Sequence, residues 1–183
     1  NNLVALGVGE LFVAGLAGDD GEGYELRRAL SALPGVRLDW FLQSAERNTF
    51  TYTKPLELEP GKPPRELSRL DLKNWSPMPA ALEERLKAAV RSLAGQTDAF
   101  VLLEQVDAAE TGVLTRGLLA EIGAVARAHP ELLVIADSRR GLAHVPVGVV
   151  EGRALRREHD AEPGAAVFHR HQLARQELED EPA

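Results

Sequence analysis

The sequence predicts an α/β fold in which helices flank a parallel, Rossmann-type sheet and a small β excursion leaves that sheet. Short apolar runs typical of buried strands alternate with segments whose apolar residues recur at the helical spacing. Between two such units, the pattern changes to the period of two that a half-exposed strand requires. Because parallel strands need crossover connections, we expect the strand and helix units to build one sheet through right-handed crossovers.

The chain is predicted to open with a helix end, a strand, a turn and a helix. Gly7 closes the opening NNLVALG as a helix C-terminal cap, and Leu11 to Leu16 is a continuous apolar run that predicts one strand. A glycine-rich turn follows this strand. The next helix is indicated by leucines that share one helical face: Leu26, Leu30 and Leu33.

Residues 36–72 interrupt this rhythm and are predicted to form the β excursion. Tyr52 lies between two threonines, and Leu70 and Leu72 flank a polar residue, so both stretches alternate as strands do. The Pro- and Gly-rich EPGKPP between them suits a hairpin connection. Such an excursion is suited to cover a site at the edge of the main sheet.

Two further strand and helix units are predicted after the excursion. A helix begins near Pro79 and stops at Gly95, and a second helix ends before Pro130. Ala99 to Leu103 and Leu132 to Ala136 are apolar runs of the type found in strands buried on both faces. The helix residues predicted to face the core are Leu82, Leu86, Ala89, Val90 and Leu93 in the first helix, and Leu118, Leu119, Ile122 and Val125 in the second.

Composition excludes several classes of protein. The net charge is −7, so the chain has no general electrostatic attraction for nucleic acid or an anionic membrane. No apolar run is long enough to span a bilayer, and the absence of cysteine fits a cytoplasmic protein. The first residue is Asn1 and the only methionine is Met78, which predicts a fragment that is incomplete at its N-terminal end.

The predicted domain organisation is a partial α/β domain over residues 1–142 and an atypical, poorly packed tail over residues 143–183. Val145 to Val150 is the one stretch after the domain that suits a further strand. The tail carries an H-x-H pair, His169 and His171, with no third ligand in view. We therefore predict no metal site.

Acidic residues follow three of the predicted strands. Ligands of open parallel α/β sheets gather beyond the carboxyl ends of the strands, where carboxylates can accept hydrogen bonds from the hydroxyls of a polyol. On spacing alone, the alternative that several of these residues cap helices or turns has equal weight. The acidic residues concerned are Asp19 and Asp20, Glu104 and Asp107, and Asp137.

The segment GLAGDDGEG, from Gly15 to Gly23, suggests a phosphate-binding loop at first sight. It lacks the lysine and hydroxyl residues of a P-loop, and its glycine spacing differs from that of a dinucleotide fingerprint. Taken without its neighbours, the segment is predicted to be a tight turn between a strand and a helix.

Taken with its neighbours, the segment resembles the N-terminal signature of the PfkB, or ribokinase-like, family of carbohydrate kinases. The family pattern runs from N-L-x-x-L-G through a strand to G-x-x-G-D-D-x-x-G, which here is Asn2, Leu3, Leu6 and Gly7, then Gly15, Gly18, Asp19, Asp20 and Gly23. Further segments in the family order are RNTFTYTK, SRLDLKN, FVLLEQVDAAETGVLT and VIADSRRG. The resemblance covers residues 1–142, and its RLD and ADSR elements are closest to heptose-phosphate kinase-like members.

The resemblance implies a ribokinase-like fold, with residues 36–72 as a substrate lid, and a site for a sugar or sugar phosphate. Glu104 or Asp107 is implied to contact sugar hydroxyls, and Asp19 and Asp20 to shape the pocket floor. The implied partners of an anionic sugar substituent are Arg47 and Lys54, with solvated lid charges as the alternative. Arg139 and Arg140 are placed at the crevice or on the exposed surface. Pairing of two lids implies a possible homodimer.

Members of this family transfer the γ-phosphoryl group of ATP, with Mg²⁺, to a sugar hydroxyl by means of an aspartate in a late G-A-G-D motif. The 183 residues contain no such motif, and no N-x-x-E stretch of the kind associated with Mg²⁺. The resemblance therefore implies that the chain is also incomplete at its C-terminal end. We assign no catalytic residue and expect the chain to be inactive as a kinase by itself. The alternative is a non-catalytic carbohydrate-binding or interaction module on the same scaffold.

Overall fold

Helices and short strands make up the computed structural model, which describes residues 2–141, 145, 150 and 151. The chain divides into two units, residues 1–152 and residues 153–183, and the second unit lies outside the described residues. Within the described part, the helices are α1 (Asn2–Ala5), α2 (Gly21–Ser31), α3 (Ala80–Leu93) and α4 (Arg116–Ala128). The strands there are β1 (Leu11–Phe12), β2 (Gly15–Gly18), β3 (Val36–Arg37), β4 (Phe41–Ser44), β5 (Thr51–Thr53), β6 (Leu56–Glu57), β7 (Arg65–Glu66), β8 (Leu70–Leu72), β9 (Ala99–Glu104), β10 (Leu133–Ser138) and β11 (Val150–Glu151).

The predicted α/β class is confirmed, and three small sheets are parallel. β1 pairs with β3, β2 pairs with β4, and the third sheet has the order β11, β10, β9. In that third sheet β10 pairs with β9 from Leu133 opposite Ala99 to Ser138 opposite Glu104. The two strands therefore end side by side and deliver the residues that follow them to one edge.

The prediction of a single strand over residues 11–16 is wrong. β1 and β2 are separate strands, because their parallel partners are also interrupted. The amide of Val13 donates to the Arg37 carbonyl, whereas that of Gly15 donates to the Trp40 carbonyl. The chain thus changes partner strands within three residues.

The β excursion is shorter than the predicted range of 36–72. Its first part, residues 36–44, contains β3 and β4, which pair in parallel with β1 and β2 and so belong to the α/β layers. We call residues 51–72 the hairpin arm. There β5 pairs antiparallel with β8 and β6 with β7, and the predicted EPGKPP connection joins β6 to β7.

The core lies between α3, α4 and one face of the β9 and β10 sheet. All nine helix residues predicted to face it are buried, and Leu86 and Ile122 are among the most deeply buried side chains. Val134 of β10 meets them from the sheet. Full burial of such a side chain contributes about 1.5–3 kcal/mol, so this layer holds the strand ends in place. Thr115 begins α4 by accepting a hydrogen bond from the amide of Leu118 at 3.0 Å.

The prediction that β9 and β10 are buried on both faces is wrong for the described part of the chain. Side chains alternate across a strand, and both α3 and α4 cover the face that carries Leu102 and Val134. On the opposite face Val101 is 46% exposed, Leu103 is 63% exposed and Leu133 is 41% exposed.

The predicted strand at Val145 to Val150 is described only in part. β11 begins at Val150 and pairs in parallel with β10, with Val150 opposite Ile135. The predicted tail, with His169 and His171, lies outside the described residues.

Candidate functional site

A cavity of about 160 Å³ opens where the carboxyl end of β9 meets the base of the hairpin arm. Its lining comes from the residues before and after the arm, from β2, and from the end of β9 with the loop that follows it. The cavity is lined by Leu16, Arg47, Asn48, Phe50, Asn74, Met78, Leu103, Glu104, Gln105, Val106, Thr111, Gly112, Val113 and Leu114. Of the predicted site residues, the structure thus brings Arg47 and Glu104 together.

Arg47 is a buried cation in the cavity wall, with 4% of its surface exposed. Its Nη1 donates to the Ser76 carbonyl at 2.9 Å and to the Pro77 carbonyl at 3.2 Å, and its Nη2 donates to the Thr111 carbonyl. Nε has no hydrogen-bond partner, and among the described residues no carboxylate pairs with the guanidinium. The side chain therefore ties three segments together and leaves a positive charge beside the cavity.

The alternative that Arg47 is a solvated lid charge is wrong, because its side chain is buried. Arg47 precedes the hairpin arm, and its guanidinium is anchored by backbone carbonyls instead of extending from the arm. Burial lowers the pKa of Arg47, but a guanidinium remains protonated at physiological pH. A fixed, buried charge of this kind favours an anion more strongly than a solvated one, because water screens it less.

Glu104 ends β9 and supplies a carboxylate to the same cavity. It is buried, accepts a hydrogen bond from the hydroxyl of Ser138, and pairs with Arg140 through Oε1 and Nε at 3.2 Å. The pairing of β9 with β10 places Ser138 opposite Glu104, so the strand register creates this arrangement. The Glu104 carboxylate is thus paired with a cation where it lines the cavity.

The Asp20 carboxylate ties the turn after β2 to the residues that enter the hairpin arm. Oδ1 accepts hydrogen bonds from the Gly23 amide at 2.8 Å and from the Thr49 hydroxyl at 2.6 Å, and Oδ2 accepts from the Thr49 amide at 2.8 Å. The Thr49 hydroxyl in turn accepts from the Gly18 amide at 2.8 Å. Asp20 is thus the N-cap of α2, the alternative that spacing left open.

The spacing of glycines in the signature has a steric reason. A Cβ atom on Gly23 would lie 2.2 Å from the Gly18 carbonyl oxygen, and one on Gly18 would lie 2.6 Å from the Arg47 carbonyl oxygen. Neither contact is possible without a backbone shift. These two glycines therefore allow the turn, the helix start and the Thr49 segment to approach closely.

Asn74 closes the base of the hairpin arm and was not singled out from the sequence. Its side chain accepts a hydrogen bond from the Asn48 amide at 2.9 Å and donates to the Asn48 carbonyl at 2.8 Å. The Asn74 side chain thus makes the two hydrogen bonds to Asn48 that the backbone of a neighbouring strand would make. No pattern in a single sequence identifies such a residue. The available signal was its place at the end of the SRLDLKN segment.

The other predicted site residues lie outside the lining of this cavity. Asp19 is exposed, and Lys54 pairs with Glu66 at 3.4 Å within the hairpin arm. Asp107 pairs with Lys73 at 2.9 Å. A hydrogen bond from Lys73 lowers the pKa of Asp107, so this carboxyl is ionised at neutral pH.

Arg140 and Arg139 have different surroundings, although the sequence left the same two alternatives open for both, the crevice or the exposed surface. Arg140 reaches Glu104, whereas Arg139 is about half exposed and lies with its guanidinium 5.8 Å from the centre of the Tyr52 ring. Asp137 is exposed, and its carboxylate accepts a long hydrogen bond of 3.5 Å from the Gln105 side chain.

Burial raises the pKa of Asp20, but the hydrogen bonds from the side chain and amide of Thr49 and from the Gly23 amide lower it by more. The net effect lowers the pKa of Asp20, so Asp20 accepts these hydrogen bonds as an ionised carboxylate. The described residues contain no group of three His, Cys, Asp or Glu side chains that could hold a metal ion.

No protein-family model matches the chain, and a search of curated proteins found no match. Within the described residues, no helix is both long and apolar enough to cross a membrane.

Proposed function

We propose that the chain is the sugar-binding part of a PfkB-type, ribokinase-like carbohydrate kinase and that the cavity binds a sugar or sugar phosphate. The observation that carries the proposal is the position of the cavity at the carboxyl end of β9, beside the base of the hairpin arm. Parallel α/β sheets bind their ligands at this end of their strands. The buried Arg47 and Glu104 both line the cavity.

The lining suits a small ligand that carries hydroxyls and an anionic group. Glu104 brings a carboxylate to the lining, and the side-chain amides of Asn48 and Gln105 add donors and acceptors. The charge of Arg47 favours a ligand with a phosphate over its unphosphorylated counterpart. The apolar residues of the lining provide a surface for the ring carbons of a sugar.

The phosphoryl-transfer step is assigned to the G-A-G-D motif of the family, which does not occur among the 183 residues. We therefore propose that this polypeptide binds the acceptor without transferring a phosphoryl group to it. No step of the proposal involves Mg²⁺, and the part of the chain that the structure describes contains no group of three His, Cys, Asp or Glu side chains placed to hold a metal ion.

The binding proposal is tested by thermal shift and calorimetry with the purified chain and a panel of sugar phosphates, each compared with its unphosphorylated sugar. We expect at least one sugar phosphate to raise Tm by several degrees and its unphosphorylated sugar to raise it less, because only the phosphate meets Arg47. Absence of any shift across the panel would contradict the proposal.

A matched pair of variants locates the binding in this cavity. Leu103→Trp places an indole in the cavity wall, and Val101→Trp places the same group two residues away on the same exposed strand face. Because both positions are about half or more exposed, both variants are expected to fold. We expect Leu103→Trp alone to abolish the shift. Equal binding by both variants would show that the ligand binds elsewhere.

Turnover separates the kinase fragment from a complete enzyme. A coupled assay for ADP release with ATP, Mg²⁺ and the sugar phosphate that binds is expected to show no activity above the background. Measurable turnover by the purified 183-residue chain would overturn the assignment of the transfer step to a motif outside these residues.

We also propose that a second copy of the chain covers the hairpin arm. β5 and β8 form a two-stranded sheet, so each has an edge with no strand partner within the described residues. Leu70 of β8 is 63% exposed, and Trp75 beyond it is 77% exposed. Two copies of one such surface can pair about a two-fold axis.

The dimer proposal is tested by sedimentation velocity at increasing concentrations of the chain. Leu70→Lys is expected to abolish the dimer, whereas Leu6→Lys, at a position that is 64% exposed beyond helix α1, is expected to leave it unchanged. A monomeric wild-type chain at about 100 μM would refute the proposal.

A further inference from the structure

Three cationic side chains surround the ring of Tyr52, which lies in β5. The guanidinium of Arg69 lies 5.3 Å from the ring centre, the ammonium of Lys73 lies 5.7 Å from it and the guanidinium of Arg139 lies 5.8 Å from it. All three distances are within the range of a cation–π interaction. Arg69 and Lys73 flank β8, next to β5, whereas Arg139 follows β10. The ring is therefore a contact between the hairpin arm and the α/β layers.

Polar contacts join the same two parts of the molecule. The Tyr52 hydroxyl donates to the Gln105 carbonyl at 3.0 Å, and Lys73 pairs with Asp107 at 2.9 Å. Arg139 lies 3.9 Å from Asp107, at the limit of an ion pair. Both Gln105 and Asp107 belong to the loop after β9, and Gln105 also lines the cavity.

The remaining carboxylate of the cluster lies in the hairpin arm itself. Asp71 pairs with Arg69 and, at 3.6 Å, with Lys73. Three cations thus meet two carboxylates and one aromatic ring. Removing the Tyr52 ring leaves the cations without their shared aromatic contact, and removing Lys73 leaves Asp71 and Asp107 with one cation fewer. The contacts therefore depend on one another.

We propose that this cluster is an electrostatic latch, which holds the hairpin arm against the loop after β9 and opens when its contacts are screened or removed. The latch consists of Tyr52, Arg69, Lys73, Asp107 and Arg139. Its existence is independent of whether the cavity binds a sugar, because every contact lies within the chain.

The strength of the contacts suits a device that opens. An exposed ion pair shifts an equilibrium by about two- to fivefold, and an exposed cation–π pair does so by a similar factor. The base of the arm is held differently, since the buried residues Asn74 and Arg47 make hydrogen bonds there. Movement is therefore expected in the arm beyond its base, with the base itself unchanged.

The latch is tested by the distance between two spin labels. The chain contains no cysteine, so Thr53→Cys in the hairpin arm and Ala120→Cys in α4 create the only two labelling sites. Both positions are exposed. Pulsed dipolar spectroscopy then reports the distribution of distances between the arm and the α/β layers with neither sugar nor ATP present.

We expect a narrow distribution at low salt and a second, more distant population when the latch is weakened. In the labelled background, Tyr52→Leu and Lys73→Met are each expected to raise the fraction of the distant population about two- to fivefold. Salt at about 1 M, where the Debye length is about 3 Å, is expected to act in the same direction without any substitution.

Lys54→Met is the matched control, because the ion pair that Lys54 makes within the described part of the chain is with Glu66 of the same hairpin arm. It is expected to leave the distribution unchanged. Circular dichroism verifies that each variant is folded. The proposal is overturned if the distributions of Tyr52→Leu, Lys73→Met and the labelled parent at high salt all coincide with that of the parent at low salt. It is equally overturned if Lys54→Met broadens the distribution as much as Lys73→Met does.

Discussion

Thr49→Val tests the hydrogen bonds that Thr49, just before the hairpin arm, makes with Asp20 and Gly18. We call these bonds the Thr49 clamp. The substitution keeps the shape of the side chain and removes its hydroxyl, which donates to Asp20 at 2.6 Å and accepts from the Gly18 amide at 2.8 Å. Because Thr49 is buried, water does not take the place of the lost hydroxyl, and its former partners lose a hydrogen bond. The amide of Thr49 still donates to Asp20, which limits the damage to the hydroxyl.

The expected cost follows from these two bonds. A hydrogen bond to a charged group contributes about 1.5–3 kcal/mol, and leaving a buried amide without an acceptor costs about 1–3 kcal/mol. Because the two terms share one hydroxyl and the site can relax, we expect the free energy of unfolding to fall by about 2–4 kcal/mol. For a chain of this size such a loss lowers Tm by roughly 4–16 °C.

Urea unfolding followed by circular dichroism measures the change, with Thr49→Ser as the control that keeps the hydroxyl. The serine variant loses only a methyl group and is expected to fall by about 1 kcal/mol or less. If the Thr49→Val and Thr49→Ser variants have the same urea midpoint, the hydrogen bonds of the Thr49 hydroxyl do not stabilise the fold. A change in the slope of the transition would indicate an altered unfolded state instead.

Three further predictions concern the same framework. Folding lowers the pKa of Asp20, so the stability that this carboxylate contributes is complete above its unfolded pKa of 3.8 and is lost as the pH falls through its folded pKa. Between pH 5 and pH 3, the urea midpoint of the wild type should therefore fall more than that of Asp20→Asn. Gly23→Ala should destabilise by more than about 2 kcal/mol in thermal unfolding, whereas Gly21→Ala, with open space for a Cβ in the same helix turn, should be neutral or stabilising. Leu86→Ala should lower the free energy of unfolding by about 2–5 kcal/mol, and Leu58→Ala, at an exposed position, by less than about 0.5 kcal/mol in the same urea assay.

The features predicted correctly are those set by residues close together in the chain. α3 and α4 follow from apolar residues at helical spacing, and their predicted core positions, such as Leu86 and Ile122, are buried. The position of Glu104 after an apolar run placed it at a strand end for the same local reason. The helix cap at Asp20 was one of two open alternatives. A carboxylate just before a helix can bind a ligand or cap the helix, and the spacing of residues in the sequence does not distinguish the two.

The features that were missed or wrong depend on partners far along the chain. Residues 11–16 are two strands because β3 and β4 are separate, and that division is not visible in residues 11–16 themselves. The exposed face of Val101 and Leu103 reflects which side α3 and α4 occupy. The contacts of Tyr52 come from segments up to 87 positions away, from Tyr52 to Arg139.

By itself, the sequence determined the α/β class, the positions of the two long helices and the acidic residue at the end of β9, because hydrophobic periodicity acts over one or two turns of chain. Only the tertiary structure decided that Arg47 is buried among carbonyls, that Asp20 caps a helix and that the hairpin arm lies beside the cavity. Hydrogen bonds and ion pairs between remote segments form only when packing has brought them together. Their partners therefore cannot be identified from local spacing.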